Sequence, residues 1–174
     1  MEGIEEGKWK GKASAEIKGV KAERVWPLLE DFFGLDKWFP TLSTCIPVEG
    51  ISGQAGCVRF CAGFKTPVDV DSDANQTLNW TKQKLLFIDP THRIFSYSIV
   101  DGNVGFHSYV STLKLLPNPD PEISACLIEW LYEVDPVPGW QLQHLHSFIH
   151  TGLQVMAQRM HAALKTMEQA LHIT

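Results

Sequence analysis

The chain reads as an α+β fold in which a curved, seven-stranded antiparallel sheet wraps around one long C-terminal helix. Three observations predict it. Short alternating segments punctuated by turn residues fill roughly 43–135, at hairpin rather than βαβ spacing. A single apolar stripe at i+3/i+4 spacing follows, from Leu142 to Leu171. Two short helical patterns separate the first strand from the rest.

The first strand is expected over about Trp9–Ile17, where Ala13, Ala15 and Ile17 alternate with Lys12, Ser14 and Glu16. A short helix starts near Ala22, with Val25, Leu28, Leu29 and Phe32 at helical spacing and Pro27 accepted in its first turn. Gly34 is read as its stop, and a second short helix as Leu35–Phe39 before Pro40. Strands are then expected at Ser43–Gly50, Cys57–Phe64, Leu78–Ile88, Arg93–Val100, Gly105–Leu116 and Ile123–Asp135. Between them lie Gly50/Gly53/Gly56, a polar loop tip at Asp69–Asn75, Asp89-Pro90, Asp101-Gly102-Asn103 and the Pro117–Pro121 run. After Pro136-Val137-Pro138-Gly139 the last helix runs to about Leu171, roughly 45 Å at ~1.5 Å per residue, enough to lie along a whole sheet. This order is that of a helix-grip architecture. A strongly curved sheet holding one helix leaves a cavity between them.

At 174 residues the chain fits one domain, 1–174, with 1–8 as an acidic, disordered tail. The net charge of −5, with scattered basic residues, excludes the phosphate-backbone partners that clustered Lys and Arg would serve. No apolar run approaches the ~20 residues a bilayer demands, so no membrane insertion is expected. The opening residues resemble neither a signal nor a transit peptide, and the expected location is the cytoplasm. Cys45, Cys57, Cys61 and Cys126 are then reduced thiols, and the spacing of Cys57 and Cys61 is not that of a zinc site. His146 and His150, four apart on the last helix, lack a carboxylate companion and are read as a solvated or partly packed face rather than a metal clip. Asn75-Gln76-Thr77 matches a glycosylation acceptor but is expected to stay unmodified.

Strand parity nominates cavity residues. Gln83 shares a face with Thr81, Leu85 and Phe87, opposite Lys82 and Lys84, and so points inward. Tyr97 is in phase with Phe95 and Ile99, and Tyr109 with His107, Ser111, Leu113 and Leu115. Parity leaves Arg59 ambiguous with a slight lean outward, since Cys57 and Cys61 share its face while Val58 and Phe60 share the other. Ile128, Trp130 and Tyr132 either pack against the last helix or wall the cavity. Leu153, Met156 and Met160 are the helix residues expected to face it, methionine being adaptable to varied shapes.

Lys8-Trp9-Lys10-Gly11-Lys12, Val25–Phe32, Leu42-Ser43-Thr44-Cys45, Gly56-Cys57-Val58-Arg59-Phe60 and Trp80–Leu85 together resemble the plant lachrymatory-factor-synthase-like group. That group belongs to the polyketide cyclase/dehydrase-like branch of a superfamily that includes birch-pollen allergen and abscisic acid receptors. The resemblance implies a cofactor-independent isomerase or cyclase acting in an internal cavity. It places Arg59 inward as the cavity arginine and Tyr97 and Tyr109 as hydroxyl donors. At the group's cavity glutamate this chain carries Gln83. An amide donates and accepts hydrogen bonds but cannot take a proton as a general base does. The functional expectations are therefore an enzyme using Arg59, Gln83, Tyr97 and Tyr109, or a carrier of a hydrophobic metabolite or lipid without chemistry. A hormone-receptor-like module stands third, because the Ser-Gly-Leu-Pro-Ala gate of those receptors is replaced by Cys61-Ala62-Gly63-Phe64-Lys65. No cofactor is expected; the partner is a small hydrophobic ligand, and the assembly a monomer or weak homodimer.

Overall fold

Strand β1 (Trp9–Lys18) buries Ala13, Ala15 and Ile17 and exposes the residues between them, the alternation of a half-covered strand. Two of those inward residues are alanines, so a helix can approach the strand closely. The computed structural model, which describes residues 7–69 and 78–172, places the long helix α2 (Leu142–His172) there, with Gln154 Nε2 donating to the Ser14 carbonyl at 2.8 Å.

The sheet continues through β2 (Thr44–Glu49), β3 (Val58–Ala62), β4 (Trp80–Asp89), β5 (Ile94–Gly102), β6 (Val110–Pro117) and β7 (Ala125–Val134). All neighbours are antiparallel, in the order β1-β7-β6-β5-β4-β3-β2, with β1 and β2 as edges. Register shifts interrupt β2 at Pro47/Glu49 and the β4–β5 ladder at Lys82/Gln83 and Leu85/Phe87. Each extra residue bends and further twists its strand, which lets the sheet curl around α2. Pro47, unable to donate to a ladder, sits on the edge strand where that costs least. Among the described residues no helix is long and apolar enough to cross a membrane.

Helix α1 (Ala22–Leu29) is shorter than its apolar spacing suggests. It ends at Glu30, whose N–H bonds the Trp26 carbonyl, and Asp31 then leaves helical geometry at ψ 85°. Phe32–Lys37 form a 3-10 turn, and Gly34 lies inside it instead of stopping α1. A Cβ at Gly34 would run into the Asp31 carboxylate, which would have to swing aside to make room for it. Strand β6 starts at Val110, five residues later than expected, because Ser108 adopts φ 53° and breaks the extended backbone ahead of it. The helix stripe is buried from Leu145 to Leu164, whereas Leu142, Met167 and Leu171 at its ends are exposed. The expected loop tip and the Asn75-Gln76-Thr77 motif fall largely within 70–77, outside the described residues, as does most of the acidic tail.

Candidate functional site

Arg59 is the centre of the interior. It lies on β3 between Cys57 and Cys61, both fully buried, and is itself only 3 % exposed. Its Nε donates to Gln83 Oε1 at 2.8 Å, and its Nη1 to the Phe32 carbonyl at 2.7 Å. The guanidinium carbon sits 3.8 Å from the Phe32 ring centroid and 5.0 Å from that of Tyr97, so aromatic faces supply part of the lost solvation. Among the described residues no carboxylate forms an ion pair with it. A buried cation held by neutral acceptors alone retains much of its electrostatic potential.

Gln83 is directly opposite Arg59 on β4. Since a guanidinium can only donate, the amide oxygen must face it. Gln83 Nε2 then donates to Thr81 Oγ1 at 3.1 Å, which fixes the amide from the other side.

A second polar chain starts at Trp130 on β7. Its Nε1 donates to Ser111 Oγ at 2.9 Å, Ser111 Oγ donates to the Tyr109 hydroxyl at 2.6 Å, and the Tyr109 and Tyr97 hydroxyls stand 3.5 Å apart. Ser111 spends its only proton on Tyr109. The two phenols bring two protons to a single link between them, so one O–H remains to donate to whatever enters the cavity. Burial raises the pKa of both tyrosines above the ordinary phenol value, which keeps them protonated as donors.

The void beside these groups is small and divided. A cavity of about 50 Å³ is lined by Gln83, Thr81, Cys61, Tyr109, Phe39 and Phe148 among others. A second, of about 20 Å³, touches Arg59, Phe95, Met156 and Met160. Leu35, Tyr97 and Trp130 border both, so they form the partition. A water needs roughly 10–15 Å³ on this kind of measure. The larger space thus holds a few water-sized groups as it stands, and a larger guest must displace the aromatic wall. That wall is Phe39, Phe64, Phe106 and Phe148, with Phe39 and Phe148 edge to face at 5.4 Å.

The interior therefore gathers Arg59, Gln83, Tyr97, Tyr109, Phe95, Trp130, Met156 and Met160. Four expected wall residues lie elsewhere. Phe87 is 46 % exposed, because the shift between Leu85 and Phe87 reverses strand parity there and Ile88 takes the inward place. His107 is exposed on the loop ahead of Ser108. Tyr132 lies over Gly11, where a Cβ would meet its hydroxyl, and it bonds His146 Nδ1 at 2.9 Å. Leu153 is fully buried but packs in the core away from both voids. The wall phenylalanines escaped the sequence reading for different reasons. Phe148 follows Leu145 by three and could have been added to the helix stripe, whereas Phe39 closes a short helix read only as a connection and Phe106 falls out of phase with Tyr109 in the expected strand.

Residues 8–170 match the family described as "Polyketide cyclase / dehydrase and lipid transport". The chain belongs to this family. Solved structures share the fold of this chain across almost their whole length. An uncharacterised protein of Bacillus thuringiensis aligns with a TM-score of 0.66 at 23 % identity, over 87 % of this chain and 98 % of its own. The protein XoxI of Bacillus cereus aligns at 0.67 and 22 %, over 91 % and 97 %. A protein of Nitrosospira multiformis gives 0.68 and 18 %, over 87 % and 95 %. Family membership makes this a ligand-binding helix-grip protein; the low identities carry the fold and no more.

Proposed function

We propose that the protein binds a small, mostly apolar molecule bearing one anionic or strongly polarised oxygen, which meets Arg59 and the spare tyrosine proton. The observation that carries this reading is the buried Arg59 cation, held by an amide, a carbonyl and two rings but by no carboxylate. An oxyanion is the group that would complete it. The phenylalanine wall supplies an apolar enclosure, and Gln83 orients the guanidinium without competing as an anion. Native mass spectrometry with a panel of small unsaturated carboxylates and carbonyl compounds tests this reading. Retention by the wild type and loss in Arg59→Met is expected; equal retention by both, or none by either, overturns it.

A second reading, cofactor-independent isomerisation or cyclisation, is favoured by the Trp130–Ser111–Tyr109–Tyr97 chain. It ends in a protonated phenol that can donate to an oxygen on which charge develops while Arg59 stabilises that charge. The resemblance to plant lachrymatory-factor synthases supports the same chemistry, although Gln83 stands where that group carries its cavity glutamate, and the carboxylate bordering the smaller void is that of Asp31. Product analysis across the panel, with wild type and Tyr97→Phe, decides between catalysis and carriage. New products that disappear with the phenol hydroxyl support an enzyme, and unchanged compounds support a carrier.

A further inference from the structure

Neither reading uses the two thiols beside the site. Cys45 on β2 and Cys61 on β3 are direct partners across the edge of the sheet, and Cys61 Sγ donates to Cys45 Sγ at 3.9 Å. We propose that Cys45 and Cys61 are an oxidation site, converted by a hydroperoxide into a reversible disulfide that ties β2 to β3 beside Arg59.

The geometry permits the bond. Residues directly opposite on antiparallel strands have Cα atoms about 4.5 or 5.5 Å apart, both inside the roughly 4.4–6.8 Å range of disulfides. Side-chain rotation must then bring the sulfurs from their present contact to bonding distance. The edge position helps, because β2 has a neighbour on one side only and can yield. Cys45 lies on the edge strand and is 9 % exposed, and its contact Cys61 forms part of the wall of the larger void, whose 50 Å³ has room for a molecule the size of two waters within reach of the pair.

The electrostatics select which sulfur reacts. The hydrogen bond from Cys61, aided by the charge of Arg59, brings the Cys45 thiol down to about 7 despite its burial. The same hydrogen bond, with burial, pushes Cys61 far up. Cys45 is therefore the attacking thiolate and Cys61 the resolving thiol. In the first step Cys45 sulfur bonds the terminal peroxide oxygen, the O–O bond breaks, and alkoxide leaves to take a proton as alcohol or water. Cys61 then attacks the Cys45 sulfenic acid, its proton and the hydroxyl leaving as water. Two thiols thus lose two electrons to one peroxide bond. The remaining cysteines have no such partner: Cys57 lies four residues before Cys61, about 13 Å away at ~3.3 Å per residue of extended chain, and Cys126 lies on β7.

The test uses the reduced full-length chain with equimolar hydrogen peroxide, followed by alkylation and mass spectrometry. Trypsin cuts after Arg59, so the expected product is the 38–59 peptide joined through Cys45 to the 60–65 peptide through Cys61, with Cys57 and Cys126 alkylated. Dithiothreitol should restore four alkylatable thiols. Cys45→Ser and Cys61→Ser should each lose the link, while Cys57→Ser keeps it. Four free thiols after peroxide, a link through Cys57, or Cys45 sulfinic acid beside a free Cys61 overturns the proposal. The wild-type peptide decides even where a serine variant fails to fold.

Discussion

Arg59 Nε and Gln83 Oε1 meet at 2.8 Å across the β3–β4 ladder, an arginine–amide pair where a buried arginine would ordinarily find a carboxylate. Gln83→Glu converts it into an ion pair. Arg59 would hold the new carboxyl below its unfolded value, so the added stability is present above that value, about 4.3, and is lost as pH falls through the folded one. Urea denaturation at pH 7 and pH 3 should show the variant's gain over the wild type in full at the higher pH and reduced at the lower. The same variant should bind an anionic ligand at least tenfold more weakly, because the introduced carboxylate occupies the cation. Parallel stabilities at the two pH values would refute the pairing.

Ser111 is wholly buried and serves two partners, accepting from Trp130 Nε1 and donating to Tyr109. Ser111→Ala leaves the indole N–H without an acceptor, at a cost of about 1–3 kcal/mol. Chemical denaturation should show that loss. Retained stability would mean that the indole finds another acceptor.

Gly152 lies on α2 against Phe39, whose ring occupies the place a Cβ would take. Gly152→Ala gains about 0.5–1 kcal/mol of helix propensity, but overpacking costs about 1–3 kcal/mol, so a net loss is expected. Combining it with Phe39→Leu should cost less than the sum of the two single changes, as a double-mutant cycle would reveal. Simple additivity would show that the ring is not what Gly152 accommodates.

Burial raises all three tyrosines, Tyr97, Tyr109 and Tyr132, above the ordinary phenol value. A group raised on folding contributes stability that is complete below its unfolded value, about 10, and lost as pH rises beyond it. Ultraviolet titration should therefore show phenolate forming above pH 10, together with loss of near-ultraviolet circular dichroism. Ionisation of any tyrosine at its ordinary value with the fold intact would contradict the burial described for it.

Much of the site was legible because strands alternate. Period two placed Gln83, Tyr97 and Trp130 inward, and their registers agree. It misplaced Phe87, because one extra residue in a ladder exchanges the two faces for everything beyond it. It misplaced His107 because a single left-handed residue, Ser108, ends the alternation. Arg59 was ambiguous by parity, both faces of β3 being apolar, and only the resemblance pointed it inward.

The sequence by itself determined the order of elements, the buried stripe of α2 and the replacement of a titratable carboxylate by Gln83, all carried by local periodicity or by residue identity. Tertiary structure decided what those residues meet: Phe39 seated on Gly152, the hydroxyl chain from Trp130 to Tyr97, and the thiols of Cys45 and Cys61 in contact beside Arg59. Such relationships join segments distant in the chain through bulges and irregular loops. Their geometry follows from how a curved sheet closes on its helix, which no local pattern records.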